Sequence, residues 1–216
     1  MAEEKNMTVA TEEKTEATAP KTENQYLLKL TRPYVFEGKE HAEIDLAGLD
    51  KLTVQDAINA QRQLFNEREP AAMLLCETTT AFVRILAAKA TGLPIEFFKL
   101  APRGVSRRIY GMVMGYMDSN TENHIMRLEK PYYFEGKQYT EIDLNGVADL
   151  NSLNESAAEN RLTRAGFMVT DTSYNYLYAC ILAGMATGLP EEFFTGLPLY
   201  EVLKIKNAVN DAGFFE

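Results

Sequence analysis

Two stretches of this chain are copies of each other. LTRPYVFEGKEHAEIDLAGLDKL (30–52) and LEKPYYFEGKQYTEIDLNGVADL (128–150) run in step at a constant offset of 98 residues. Further on, ILAAKATGLPIEFF (85–98) matches ILAGMATGLPEEFF (181–194) at an offset of 96, and Pro102 matches Pro198 at the same offset. A net two-residue deletion therefore separates the copies. A repeat this long is a whole folding unit rather than a solenoid step. It predicts one module at about 25–117 and a second at 123–213, joined by the polar segment 118–122. Each copy is marginal in size for an independent core, so contact between them is expected.

Residues 1–24 contain six Glu and three Lys but no Leu, Ile, Phe or Tyr. Such a segment buries too little surface to offset its chain entropy and reads as a disordered acidic leader. It has neither the apolar run of a secretory signal nor the acid-free composition of a transit peptide. No stretch of the chain is long and apolar enough to suggest a membrane span. With 22 Lys+Arg against 31 Asp+Glu, the net charge is -9. Nucleic acid and anionic membrane both call for a cationic footprint, so neither is expected as a partner.

Each module opens as a β-hairpin. Leu28 and Leu30 alternate with polar residues, as do Ile44 and Leu46. A two-residue loop at Glu37-Gly38 would set Leu30 opposite Asp45. A three-residue loop sets it opposite Ile44 and keeps the apolar set on one face. The parity argument thus predicts a type I turn with Gly38, and equally Gly136, as a left-handed bulge residue. Pro33 and Pro131 lack a ladder donor, which makes the first strand an edge. Helices follow. Thr53 with Asp56 marks a start. Residues 71–91 carry an apolar stripe at Leu75, Phe82, Leu86 and Ala90, ended by Gly92. Pro94 starts a short helix, and Pro102 a last one with Val105, Ile109, Met112, Val113 and Tyr116 on one side. The fold class is α+β, a tandem repeat of two modules, each a β-hairpin followed by three to four α-helices.

No catalytic constellation is present in the sequence. Gly38-Lys39 lacks the remainder of a phosphate loop, and there is no nucleophile elbow. Glu43 and Asp45 recur as Glu141 and Asp143, but alternation puts them on the solvent face. His41 is Tyr139 in the other copy and His124 aligns with Tyr26, so both histidines read as aromatic-type packing residues. Cys76 and Cys180 read as small buried residues. With two histidines and two cysteines in 216 residues, no metal site or cofactor is expected.

Three features could carry binding. Arg103, Arg107 and Arg108 form a basic cluster at a helix start, where cations oppose the dipole; only Lys204 and Lys206 lie nearby in the second copy. Met112, Met114, Tyr116 and Met117 form an adaptable apolar set. Tyr174, Tyr176 and Tyr178 cannot all be buried on one helix face, so one or two must reach the surface or the other module.

An apolar strand, then aromatic-E-G-K, then [TA]-E-I-D-L, then helices ending in ATGLP-x-E-F-F resembles the tail assembly chaperones of tailed bacteriophages. The resemblance covers 26–116 and 124–210. It implies a non-enzymatic protein that coats the helical tape-measure protein before the tail tube polymerises and then leaves. The implied partners are the tape-measure protein, the tail tube protein and further copies of the chain. The implied location is the host cell cytoplasm, outside the mature virion. Client helices would enter grooves between sheet and helices, and the duplication would link two such sites. The alternative is a virion structural protein of the tail or minor capsid.

Overall fold

The computed structural model describes residues 24–117, 124–167 and 172–211, with the backbone alone at 72–74. The leader up to residue 23 and the expected linker at 118–122 lie outside the described residues. Within them the fold is α+β, and both copies build the same unit. Strands β1 (Leu27–Phe36) and β2 (Lys39–Asp45) form one antiparallel hairpin, β3 (Ile125–Phe134) and β4 (Lys137–Asp143) the other. Module 1 continues with α1 (Val54–Asn66), α2 (Pro70–Leu75), α3 (Thr80–Thr91), α4 (Ile95–Lys99) and α5 (Arg103–Met117). Module 2 continues with α6 (Ser152–Arg164), α7 (Tyr176–Thr187), α8 (Glu191–Thr195) and α9 (Val202–Val209).

The hairpin turn differs from the expectation. Phe36 pairs with Lys39, so the loop is the two residues Glu37-Gly38, at φ 50° and 78°. Two positive φ values make a type I′ turn rather than a type I turn with a bulge, and Glu135-Gly136 repeats it at 47° and 78°. The slip demanded by parity occurs inside the strand instead. Tyr34 pairs with His41 but Lys29 pairs with Glu43, so residues 30–33 face the single residue Ala42. Three extra residues are an odd slip, which turns Leu28 and Ile44 onto the core face just as one would. Pro33 falls in this unpaired stretch, where its missing donor is harmless. The slip recurs between Arg127 and Tyr132.

Capping follows the sequence closely. The Thr53 backbone N–H donates to Asp56 Oδ2 at 2.8 Å, and Asn151 uses Asn154 in the same way. Gly92 and Gly188 close α3 and α7 in the left-handed conformation. The helix expected over 71–91 is instead broken. Cys76 takes φ 29°, a one-turn helix spans Cys76–Thr78, and Thr79 caps a fresh start by accepting from the Phe82 N–H. Leu75 consequently points to solvent, 56% exposed, rather than into the stripe.

Each hairpin wraps its aromatic residues round one buried phenylalanine. Tyr34, Phe36 and His41 lie 4.8, 5.4 and 4.8 Å from the Phe97 ring. Tyr132, Phe134 and Tyr139 lie 5.3, 5.3 and 4.8 Å from Phe193. Edge-on contacts of this kind add to area burial. His41 is therefore an aromatic packing residue, as expected. A further shared device is a close backbone approach. A Cβ at Gly48 would sit 1.9 Å from the Ala90 carbonyl oxygen, and one at Gly146 2.5 Å from that of Ala186. Only glycine lets the turn after each hairpin approach the helix end this closely.

The modules share one core. Thr53 pairs with Pro198 in an isolated antiparallel bridge, with Val54 N–H donating to Leu197 O and Leu199 N–H to Leu52 O, both at 2.9 Å. Gln61 donates to Tyr174 O at 2.7 Å and accepts from Tyr176 N–H at 3.0 Å. Buried Tyr176 donates its hydroxyl to Glu77 at 2.9 Å, and Lys206 pairs with the same carboxylate. Tyr116 and Tyr200 meet edge-on at 5.7 Å. The seam is thus apolar with a buried polar cluster inside it.

Candidate interaction surface

The face of module 1 that lies away from this seam is a groove of about 180 Å³ between α3, α4 and α5. Its floor is Val83, Phe98 and Ile109; Arg84, Lys99 and Arg103 surround it. In module 2 the matching positions are covered by α1, and their residues differ accordingly. Arg84 is replaced by Cys180, Lys99 by Thr195, Arg103 by Leu199 and Thr80 by Tyr176, all buried there. The groove is therefore the open, cationic version of a face that module 2 hides. Arg84 is held by Glu69 at 3.2 Å. Among the described residues, Arg103 and Arg107 have no ion-pair partner and are exposed.

Arg108 has a different role. Its Nη1 donates to the Lys29 carbonyl at 2.8 Å, where β1 leaves its register. Lys204 donates to the Arg127 carbonyl at 3.2 Å at the same place in module 2. A cation at this position belongs to the fold in both copies, which corrects the expectation that the whole cluster is peculiar to the first. Lys204 also pairs with Glu201, which is fully buried and accepts from the Glu129 N–H at 3.0 Å. The ammonium stands 2.9 Å from Oε2. Burial raises the Glu201 carboxyl above its ordinary value, opposed by the Glu129 N–H and by Lys204.

The methionine–tyrosine set belongs mainly to the core. Met117 and Tyr116 are buried, and Tyr116 donates to Asp50 at 3.2 Å. Met112 and Met114 are half-buried against the same cluster. This corrects the assignment of Tyr116 and Met117 to a partner surface; a stripe at helical spacing has the same period whatever it packs against. Of the three tyrosines, Tyr174 is exposed, with Lys206 Nζ 5.9 Å from its ring centre. Tyr176 enters the seam. Tyr178 is buried, which removes it from the partner surface, and burial raises its hydroxyl pKa, with Glu155 and Glu159 of α6 adding to the rise. The prediction that one or two must reach the surface or the other module describes Tyr174 and Tyr176.

Burial pushes the Cys76 thiol up to about 12 and raises that of Cys180 as well, so both remain protonated. Glu43 and Asp45 are exposed, and Asp45 is occupied in accepting from the Ala47 N–H at 2.9 Å. His124 Nε2 lies 2.9 Å from Asp211 Oδ2. No group of three or more His, Cys, Asp or Glu among the described residues is placed to hold a metal. No helix among them is long and apolar enough to cross a membrane.

Sequence reasoning missed the most exposed apolar residues. Val35 and Tyr133 occupy the same place on the two hairpins, 56% and 68% exposed. Leu100 and Leu153, 69% and 79% exposed, replace Gly196 and Gln55 of the other copy. Alignment of the copies gives the signal for the last two, since each is a leucine that its counterpart lacks. A second, open groove of about 560 Å³ runs beside β4, lined by Lys137 to Asp143 and by Gly146, Ala186, Thr187 and Leu189. No family model, curated protein or solved structure matches the chain.

Proposed function

We propose that this chain is a non-enzymatic binding protein, a tail assembly chaperone of the tailed-bacteriophage kind that holds the tape-measure protein in soluble form until the tail tube assembles round it. The groove beside β4 carries the reading. It is open and mixed in polarity, a form better suited to a segment of polypeptide than to a small molecule, which favours a deep and largely enclosed pocket. Tyr133 stands on the adjoining strand, paired with Gln138 of the groove. Val35 repeats that exposed apolar position in module 1, so one long client can be touched at two linked points. The acidic surface supplies repulsion that keeps a coated apolar polymer dispersed. The chain works in the host cytoplasm and leaves before the virion matures.

Co-expression tests this reading. With the tape-measure protein, the chain is expected to co-purify and to move the client from the pellet to the soluble fraction. Changing Val35 and Tyr133 together to Ser reduces the recovered client at least fivefold. No co-purification and no gain in client solubility overturns the proposal, and presence of the chain in purified particles supports a virion structural protein instead.

A further inference from the structure

The contact between the modules is not a two-fold one. Leu52-Thr53-Val54 of module 1 mates with Leu197-Pro198-Leu199 of module 2. The reciprocal pairing would set Leu150-Asn151-Ser152 against Ala101-Pro102-Arg103, and Asn151, Ser152, Pro102 and Arg103 are all exposed. A heterologous contact leaves one face of each kind unused, and such faces join successive copies. We infer that this chain self-associates head to tail, the open α3–α5 face of module 1 in one copy receiving helix α6 of module 2 from the next, in the geometry that the chain already uses internally. The partner is a second copy of this chain, and the inference stands apart from what client the grooves take.

Register carries the argument. In the internal seam an isolated antiparallel bridge sets Thr53 against Pro198, with the Val54 N–H donating to Leu197 O, and helix α1 begins at once beyond it. Transferred to the two unused faces, that bridge sets Asn151 against Pro102 and Ser152 against Ala101, with Leu153 the next residue on α6 and Leu100 the neighbour of Ala101 on the receiving face. The two most exposed large apolar side chains among the described residues, Leu153 at 79% and Leu100 at 69%, thus stand beside that pairing, one on each face. Neither has a packing role within its own module. The exposed charges nearby are opposite in sign: Arg103 lines the receiving groove with Arg107 one turn on, and α6 carries Glu155 and Glu159.

The outer contact is weaker than the inner one. On α1 the stripe Val54, Ile58, Gln61 and Phe65 faces module 2; on α6 it reads Ser152, Ser156, Glu159 and Thr163. Association is therefore reversible, concentration-dependent and weakened by salt.

Two leucine variants test this, Leu100→Gln and Leu153→Gln, in sedimentation equilibrium over a concentration series. Both sites are exposed, so both variants keep the wild-type circular dichroism and melting temperature. The wild type is expected to rise above the 24.3 kDa chain mass as concentration increases. Each variant alone self-associates at least tenfold more weakly. Mixed in equal amounts, they form a one-to-one dimer and nothing larger, because each retains the face that the other lacks. A wild type that stays at the chain mass at every concentration overturns the inference. So does a mixture no heavier than the separate variants, which is the outcome of a two-fold contact containing both leucines.

Discussion

Helices α1 and α6 are the same element in two copies, and they differ in what they face. α1 is buried on two sides, with Val54, Ala57, Ile58, Ala60 and Leu64 all at 1% exposure or less. α6 buries only Ala158 and Leu162. Three of the inward positions of α1 are polar on α6: Val54 becomes Ser152, Ala57 becomes Glu155 and Ile58 becomes Ser156. The receiving side has diverged in parallel, with Leu199 and Tyr176 of module 2 standing where module 1 has Arg103 and Thr80. A duplicated unit starts with two identical adhesive faces of each kind. Here one pair became a core, and the other acquired charge and solvent. The apolar pattern of a repeat therefore reports which copy it touches as well as how it folds.

The comparison is broken most severely by truncating the inward stripe. Ile58→Ala removes a fully buried side chain at the seam and is expected to cost about 4 kcal/mol of stability, within the range for cavity-forming changes. Ser156→Ala, at the equivalent exposed position, stays within about 0.5 kcal/mol. Urea denaturation measures both. Equal effects would show that the two helices are not differently employed.

Next in size is the polar cluster within the seam. Lys206 and Glu77 are a mostly buried pair, with side chains 12% and 10% exposed. Lys206→Met leaves the carboxylate with the Tyr176 hydroxyl alone and is expected to cost about 3 kcal/mol. Adding Glu77→Gln returns most of that loss, because the orphaned charge is gone. The counterpart of Lys206 is Tyr110, whose hydroxyl makes only a long 3.5 Å contact to the Thr78 carbonyl. Tyr110→Phe is expected to change stability by less than about 0.5 kcal/mol. A double variant as unstable as Lys206→Met would locate the loss in packing rather than in charge.

What could be read from the sequence was local or repeated. The Thr53–Asp56 cap, the GLP corners and the duplication each rest on a few residues whose chemistry has one good solution. Parity correctly required an odd slip in the hairpin but did not say where, and Pro33, read from the sequence as the mark of an edge, falls in the unpaired stretch itself. The break at Cys76 had no warning, because neither Gly nor Pro stands there and the left-handed turn is held by contacts made elsewhere in the fold. The arginine cluster was visible as a group, yet one member secures a strand carbonyl while the others face solvent. That division depends on where the β1 carbonyls point, which no spacing records. The leucines at 100 and 153 gain meaning only once the copies are aligned and the seam is known.

The smallest effect sharpens the comparison at the hairpin clasp. Module 1 has Val105 and exposed Arg108 there; module 2 has fully buried Glu201 paired with Lys204. Because burial raises the folded-state pKa of Glu201, the folded protein holds that proton more tightly than the unfolded chain does. The group therefore opposes folding increasingly as pH rises from the unfolded glutamate value, about 4.3, to the raised folded value, and by a constant amount above it. Glu201→Gln cannot titrate. Wild-type stability relative to this variant should fall as pH rises through that window and level off beyond it. Denaturation of both proteins across the acidic range gives the difference directly. A difference that grows with pH would mean that Lys204 and the Glu129 amide outweigh desolvation, and that the clasp in module 2 favours the ionised carboxylate.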